Sequence, residues 1–285
     1  MSLPRLRLSI WMPGLVAFAA LAACWQLLAE HNADFIPSVP ATVAELWDNP
    51  RLFGINTLVT LREVAVGTGA SFVVAFSLAV LMCQARLVER ALMPVAVVVN
   101  VTPVVSYAPV FVLLFGFGST PRYIVTAIVV FFPLLVNALA GLRSVDPEVL
   151  DVMETLHASR WEILWRLRLP SSVPFLLAAA RVCLPLGVVG AVVAEFVASG
   201  SSSGLGSMIF AALETNQKTV IYGAILVLVA IGLALTVAVS VAERRLLAWR
   251  VGGASERGPR PPANRSSKRR SPSLVAPRRG ARRRR

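Results

Sequence analysis

Apolar positions in this chain run in charge-free intervals at Leu8 to Ala29, Val64 to Ala85, Ala91 to Ser119, Tyr123 to Leu142 and Thr219 to Ala242. A sixth interval, Val173 to Ala194, is broken by Arg181 alone, placed to snorkel to the nearer interface or to face a helix partner. At 1.5 Å of rise per residue, each interval reaches across about 30 Å of hydrocarbon. The pattern predicts an all-α membrane protein with six transmembrane helices. The first interval also reads as a lipoprotein signal cut before Cys24, but its apolar run continues and five more intervals follow, so an uncleaved anchor is the better reading. The third contains Pro94, Pro103 and Pro109 beside Asn100, Thr102, Ser106 and Tyr107, which predicts either a kinked helix lining a pathway or polar residues bonded back to their own helix.

One long polar interval, Leu142 to Ser172, lies between two such spans. Its pattern predicts two short helices. Asp146 stands at an N-cap, Pro147 at the first helical position, and Glu148 in the first turn, where the helix dipole favours an acid. Val149, Val152, Met153 and Leu156 then fall on one stripe at i, i+3, i+4 and i+7. Ser159 and Glu162 form a capping box that starts a second helix near Arg160, carrying Trp161 and Trp165 and expected to end before Pro170. Such an amphipathic hairpin is either an interfacial loop on lipid headgroups or a docking element for a soluble partner. Elsewhere, short helices are expected from Ala41 and over about Leu205 to Leu213, the second capped by Ser201 to Ser203.

Charge orients the predicted bundle. With the N-terminus inside, the inner segments hold Arg5, Arg7, Arg86, Arg90, Arg143, Arg160, Arg166, Arg168, Arg244, Arg245 and Arg250, against Arg51, Arg62, Arg122 and Lys218 outside. Both termini and the hairpin are thus expected in the cytoplasm. The formal net charge of +13 is mostly an appendage, because residues 253–285 hold twelve Lys/Arg against Glu256. That leaves an apolar transmembrane domain over 1–252 and a basic tail over 253–285 expected to be disordered and drawn to anionic lipid, with no specific nucleic acid as partner. Cys24, Cys83 and Cys183 sit apart within apolar surroundings and read as small core residues, with no metal site. No Gly-rich phosphate loop occurs and His31 and His157 fall on opposite sides, so no catalysis and no cofactor is expected within the chain.

Several ordered motifs carry a resemblance. Asp151-Val152-Met153, three residues, His157, nine residues, then Leu167-Arg168-Leu169-Pro170 resembles the EAA loop of ABC-importer permeases, with Asp for Glu, Val-Met for Ala-Ala and His157 in the place of Gly. If the hairpin turns through a left-handed residue there, His is strained by about 1–2 kcal/mol where Gly is not; otherwise the turn has shifted by a residue. Arg62 with a nearby Gly, Phe115-Gly116-Phe117-Gly118, Phe131-Phe132-Pro133 with Asn137, and Ala194-Glu195 followed by Gly204-Leu205-Gly206 are similar to the nitrate, sulfonate and taurine group of these permeases. The resemblance covers about residues 58–249 and implies the type I importer permease fold with a cytoplasmic coupling hairpin.

It further implies a homodimer in the plasma (inner) membrane, forming the pathway for a small, anionic solute. A periplasmic or lipid-anchored binding protein delivers the solute, and a cytoplasmic ATPase subunit holds ATP and Mg. Asp151, Val152, Met153, Leu156, His157, Ala158, Leu169 and Pro170 become the expected ATPase-coupling residues. Asn100, Pro103, Tyr107, Asn137 and Glu195 become candidates for the pathway or its gate, although Glu195 also reads as an ion-pair partner of Arg62. Two rivals stand beside this: an ATPase-independent secondary transporter or channel, disfavoured by the expected lack of buried acidic residues in the spans, and a membrane scaffold acting through its basic tail.

Overall fold

The computed structural model describes residues 8–198 and 203–246, and every regular element among them is helical. The elements are α1 (Leu8–His31), α2 (Val39–Asp48), α3 (Pro50–Gln84), α4 (Arg86–Val101), α5 (Val104–Phe115), α6 (Ser119–Leu142), α7 (Pro147–Thr155), α8 (Arg160–Ile163), α9 (Leu169–Val197), α10 (Leu205–Glu214) and α11 (Lys218–Leu246). A π-helical turn, Leu164–Arg168, joins α8 to α9. Residues Met1–Arg245 make one compact unit, and the expected disordered tail lies outside the described residues.

The core is built from α3, α6 and α9, which pack along their lengths. Small residues set how closely they approach. A Cβ added at Gly67 would lie 2.6 Å from the Cβ of Thr126, and one at Gly141 would lie 3.0 Å from the Cα of Ser172, so each glycine admits a neighbouring helix that any larger residue would push away. One apolar cluster, with Met82, Leu135, Leu142, Ala179 and Cys183, fills the end of the bundle nearest the hairpin. A second, with Phe53, Val64, Leu205, Met208 and Ala224, fills the other.

Four helical stretches are long and apolar enough to span a bilayer: α3, α6, the run Arg160–Val197, and α11. α4 and α5 form a fifth if taken as one broken crossing, for they are bent by 95°. The six-span expectation then rests on α1, whose 24 residues reach about 36 Å. The break replaces the expected single kinked helix and falls at Thr102-Pro103, where Thr102 is extended with ψ of 127° because the Pro ring disfavours helical backbone before it. The Val99 carbonyl, which Pro103 has no N–H to serve, accepts from Tyr107 Oη at 3.3 Å, while the Val98 carbonyl takes both the Thr102 amide and, at 2.8 Å, Thr102 Oγ1. Pro94 and Pro109 lie inside their helices without a comparable break.

Two expectations are corrected and one open choice, that of Arg181, is resolved. The second span, expected to start at Val64 after no more than a short helix from Ala41, is the end of a much longer helix, since α3 begins at Pro50 and its 35 residues extend about 52 Å. Pro170 ends no helix: the π-helical turn carries the chain past it, and with no N–H to place it sits comfortably in the first turn of α9. Arg181 has a helix partner, donating to Glu243 at 2.7 Å and to Ser240 at 3.1 Å on α11.

Candidate functional site

The hairpin between α6 and α9 closes as its caps dictate. Asp146 Oδ1 accepts from the Glu148 amide at 3.1 Å and starts α7. The Ser159 hydroxyl accepts from the Glu162 amide at 3.2 Å, and Glu162 accepts in return from the Ser159 amide at 2.9 Å, so the capping box is complete. α7 ends in a Schellman motif, with the Ala158 amide donating to the Met153 carbonyl at 3.0 Å and the His157 amide to that of Glu154 at 2.9 Å. This motif needs a left-handed residue at its centre. His157 is that residue, with φ of 56°. The open choice between a strained His157 and a shifted turn is settled for the first.

A His157→Gly variant is therefore expected to relax the turn. Gly removes about 1–2 kcal/mol of left-handed strain and loses about 0.5–1 kcal/mol to its freer unfolded chain, leaving a small net gain. Slower amide exchange at Ala158 would record it, and faster exchange would show that the turn prefers His.

α7 buries none of its residues against the rest of the chain. Val149, Val152 and Leu156 are exposed, Met153 and Ala158 are half-buried, and Trp161 and Trp165 stand exposed in an edge-to-face pair 5.6 Å apart. Asp151 and His157 are also exposed. Leu169 differs, packing into the apolar cluster at this end of the bundle, with Pro170 exposed beside it. The helix is thus amphipathic, capped at both ends, and leaves most of its apolar stripe uncovered, as a docking surface requires.

Of the pathway candidates, Asn100 and Pro103 lie exposed at the α4–α5 break, where Tyr107 is tied to the Val99 carbonyl. Asn137 does not join them, donating to the Pro133 carbonyl of its own helix at 2.8 Å.

Glu195 belongs to a different constellation, fully buried at the end away from the hairpin. Its partners are not Arg62. Its Oε1 accepts from Thr60 Oγ1 at 2.7 Å, and its Oε2 accepts the amides of Gly206 and, at 3.3 Å, Ser207. Thr60 Oγ1 accepts from the Leu205 amide at 2.9 Å, and Asn56 Oδ1 from the Gly204 amide at 2.7 Å. The amides that open α10 are thus held by side chains of α3 and α9, which serve as its remote cap. The expected serine cap gives way to Gly204 at φ of 114°, while Ser201 and Ser202 lie outside the described residues. The spacing of Gly204 and Gly206 now has a cause: a Cβ on Gly204 would meet the Glu195 carboxyl carbon at 2.4 Å, and one on Gly206 would meet its Oε2 at 2.8 Å.

Behind this cap, Arg122 of α6 donates to Glu63 Oε1 at 2.9 Å, with the two side chains only 2% and 1% exposed. Arg122 also donates to the Ser203 carbonyl at 2.8 Å and to Ser207 Oγ at 3.3 Å, and Glu63 and Glu195 act on each other. Sequence reasoning placed Arg122 in an outer loop and passed over Glu63, Asn56 and Thr60. The missed signal is a polar stripe on α3, since Asn56, Thr60 and Glu63 recur at i, i+4 and i+7. The expectation of spans without buried acids is overturned by Glu63, which pairs with Arg122, and by Glu195, which holds the start of α10.

Comparison with known proteins gives a family. Residues 67–249 match the model of the binding-protein-dependent transport system inner membrane component. The chain is 30% identical over 236 residues to the formylaminopyrimidine transport permease protein ThiX of Halalkalibacterium halodurans, covering 82% of this chain and 94% of that one. It is 32% identical over 239 residues to the riboflavin transport system permease protein RibX of Chloroflexus aurantiacus, covering 82% and 88%. In structure it is similar to an inward-facing MetNI methionine ABC transporter chain, with a TM-score of 0.61, 17% identity, and coverage of 68% and 95%.

Proposed function

Because the chain belongs to the binding-protein-dependent transport system inner membrane components, ABC-importer permeases with several membrane-crossing helices, we propose that it forms the translocation pathway for a solute delivered by a binding protein and driven by a separate ATPase. The observation that carries the mechanism is the hairpin: α7 is capped at both ends, buries nothing of its own, and offers Val149, Val152 and Leu156 outward. Docked in an ATPase groove, it turns ATPase closure into movement of the bundle, because α8 runs through the π-helical turn into α9 and α9 packs along α6. ATP and Mg belong to that partner. Two copies of the chain are needed to complete a pathway, with Asn100, Pro103 and Tyr107 of the α4–α5 break at its wall.

Orientation follows from charge. Arg143, Arg160, Arg166 and Arg168 gather at the hairpin end, which supports a cytoplasmic hairpin and cytoplasmic termini in a plasma (inner) membrane. In a background lacking Cys24, Cys83 and Cys183, a cysteine at Thr215 is expected to react with an impermeant maleimide from outside and one at Ser159 only from inside. The reverse pattern would overturn the topology.

The solute we propose is small. The Phe-Gly-x-Gly and Phe-Phe-Pro motifs shared with the sulfonate, taurine and nitrate group support an anionic one, while the names of ThiX and RibX extend the same scaffold to heteroaromatic compounds. Glu63 and Glu195 give the carrier alternative no support, for Glu195 is engaged in holding α10 and Glu63 in pairing with Arg122. Reconstitution of the full chain with its ATPase and binding protein decides: uptake is expected only with both proteins and ATP, and truncation after Gly252 is expected to leave it intact. Accumulation driven by an ion gradient without the ATPase would contradict the reading.

A further inference from the structure

Two adjoining cavities open where α3 gives way to α4, beneath the hairpin. The larger, about 500 Å³, is lined by Arg86 and Glu89 of α4, Arg143 at the end of α6, Arg168 of the π-helical turn, and Leu150 of α7. The smaller, about 220 Å³, shares Cys83 and Arg168 with it and adds Arg160 and Glu154. Three guanidinium groups against one carboxylate give the larger cavity a charge of +2, and the Arg160 and Glu154 charges of the smaller cancel. Arg143 is committed to Glu89 in a two-pronged pair at 2.7 and 2.6 Å, so the uncompensated charge resides on Arg86 and Arg168. Arg168 is fixed in advance, its Nη1 donating to the Cys83 carbonyl at 3.4 Å and touching the Cys83 sulfur.

We propose that these cavities bind a phosphate-type oxyanion, held by Arg86 and Arg168 between the α3–α4 junction and the coupling hairpin. A guanidinium is planar and weakly hydrated, and its paired N–H groups match the oxygens of a phosphate. The depth favours a lipid headgroup as the source. Cys83 lies two residues before the end cap of α3 and Arg143 is the end cap of α6, so the site sits where spans leave the hydrocarbon, and basic pockets between helices at that level take anionic headgroups. Leu87, on the first turn of α4, is exposed beside the entrance. Assigning the inner leaflet rests on the orientation proposed above. Since Leu150 and Arg168 form part of the wall, an occupant joins α4 to the hairpin and steadies the element that meets the ATPase.

Cys83 lines both cavities and reports on their contents directly. The full chain, with Cys24 and Cys183 replaced by Ser, is reconstituted in phosphatidylcholine vesicles with or without phosphatidylglycerol, and the rate of Cys83 labelling by a neutral, permeant maleimide is followed. Phosphatidylglycerol is expected to slow labelling several-fold in the parent, to have little effect in Arg86→Gln, and to keep most of its effect in Arg86→Lys. Inorganic phosphate added to phosphatidylcholine vesicles distinguishes the sources: protection by it alone assigns a soluble oxyanion, and protection by the lipid alone assigns the headgroup. Equal rates under all conditions, or undiminished protection in Arg86→Gln, would overturn the site. The readout needs no ATPase, so its failure is separable from failure of the importer reading.

Discussion

Arg122→Met is expected to be among the most destabilising single changes in the chain. The guanidinium faces Glu63 at 2.9 Å, Glu195 lies close enough to act on Glu63, and both acids are fully buried. Removing one partner of a buried ion pair typically costs about 3–5 kcal/mol, because the charge left behind has neither water nor a counter-ion. Against a total stability of about 5–15 kcal/mol, that is enough to empty much of the folded population. The loss also frees the carbonyl of Ser203 and the hydroxyl of Ser207, which Arg122 fastens to α6. A large drop in thermal midpoint and in monodisperse yield from membranes is expected.

The double variant Arg122→Met, Glu63→Met separates charge from shape. With both members of the pair gone, Glu195 still accepts from Thr60 and from two α10 amides, so most of the lost stability should return. If the single variant is as stable as the parent, the constellation is ornament and not structure. If the double variant is as poor as the single, Arg122 acts through its carbonyl contacts and not through its charge.

Legibility in the sequence followed the range of the interactions. Caps are local, and the Asp146 cap, the Ser159–Glu162 box and the amphipathic stripe of α7 could all be read from residues within four positions of one another. Long apolar intervals fixed most spans for the same reason, since crossing length is a property of one segment. What could not be read depends on two distant segments meeting. The amides at the start of α10 donate to Asn56 and Thr60, about 145 residues earlier. Nothing within either segment announces the other. Arg62 and Glu63 show how narrow the margin is: they are neighbours in sequence, a helix turns about 100° between them, and only Glu63 faces inward. The 95° break at Thr102-Pro103 lay between these cases, for Pro103 is a local signal while the angle belongs to two helices that both also pack against α6.

Coupling to an ATPase is the claim on which the function turns, and a charge on the stripe of α7 is expected to abolish it. Met153 is half-buried and Val152 beside it is exposed, with no buried residue on the helix to be disturbed. Placed in an apolar groove, a glutamate at either position carries an unpaired charge into the interface at a cost of several kcal/mol. Each 1.4 kcal/mol is tenfold in affinity, so association with the ATPase should fall by about a hundredfold or more. Neither substitution touches a span, and insertion in the membrane and the thermal midpoint should remain those of the parent. Val152→Glu is the cleaner of the two, because its side chain already faces outward.

The decisive measurement is therefore capture of the ATPase subunit by Met153→Glu and Val152→Glu, alongside ATP-driven uptake in the same vesicles. Loss of both capture and uptake, at normal levels of folded permease, is the predicted result. Undiminished capture and uptake in the two variants would contradict it, and would remove the hairpin as the element through which ATP hydrolysis drives this transporter.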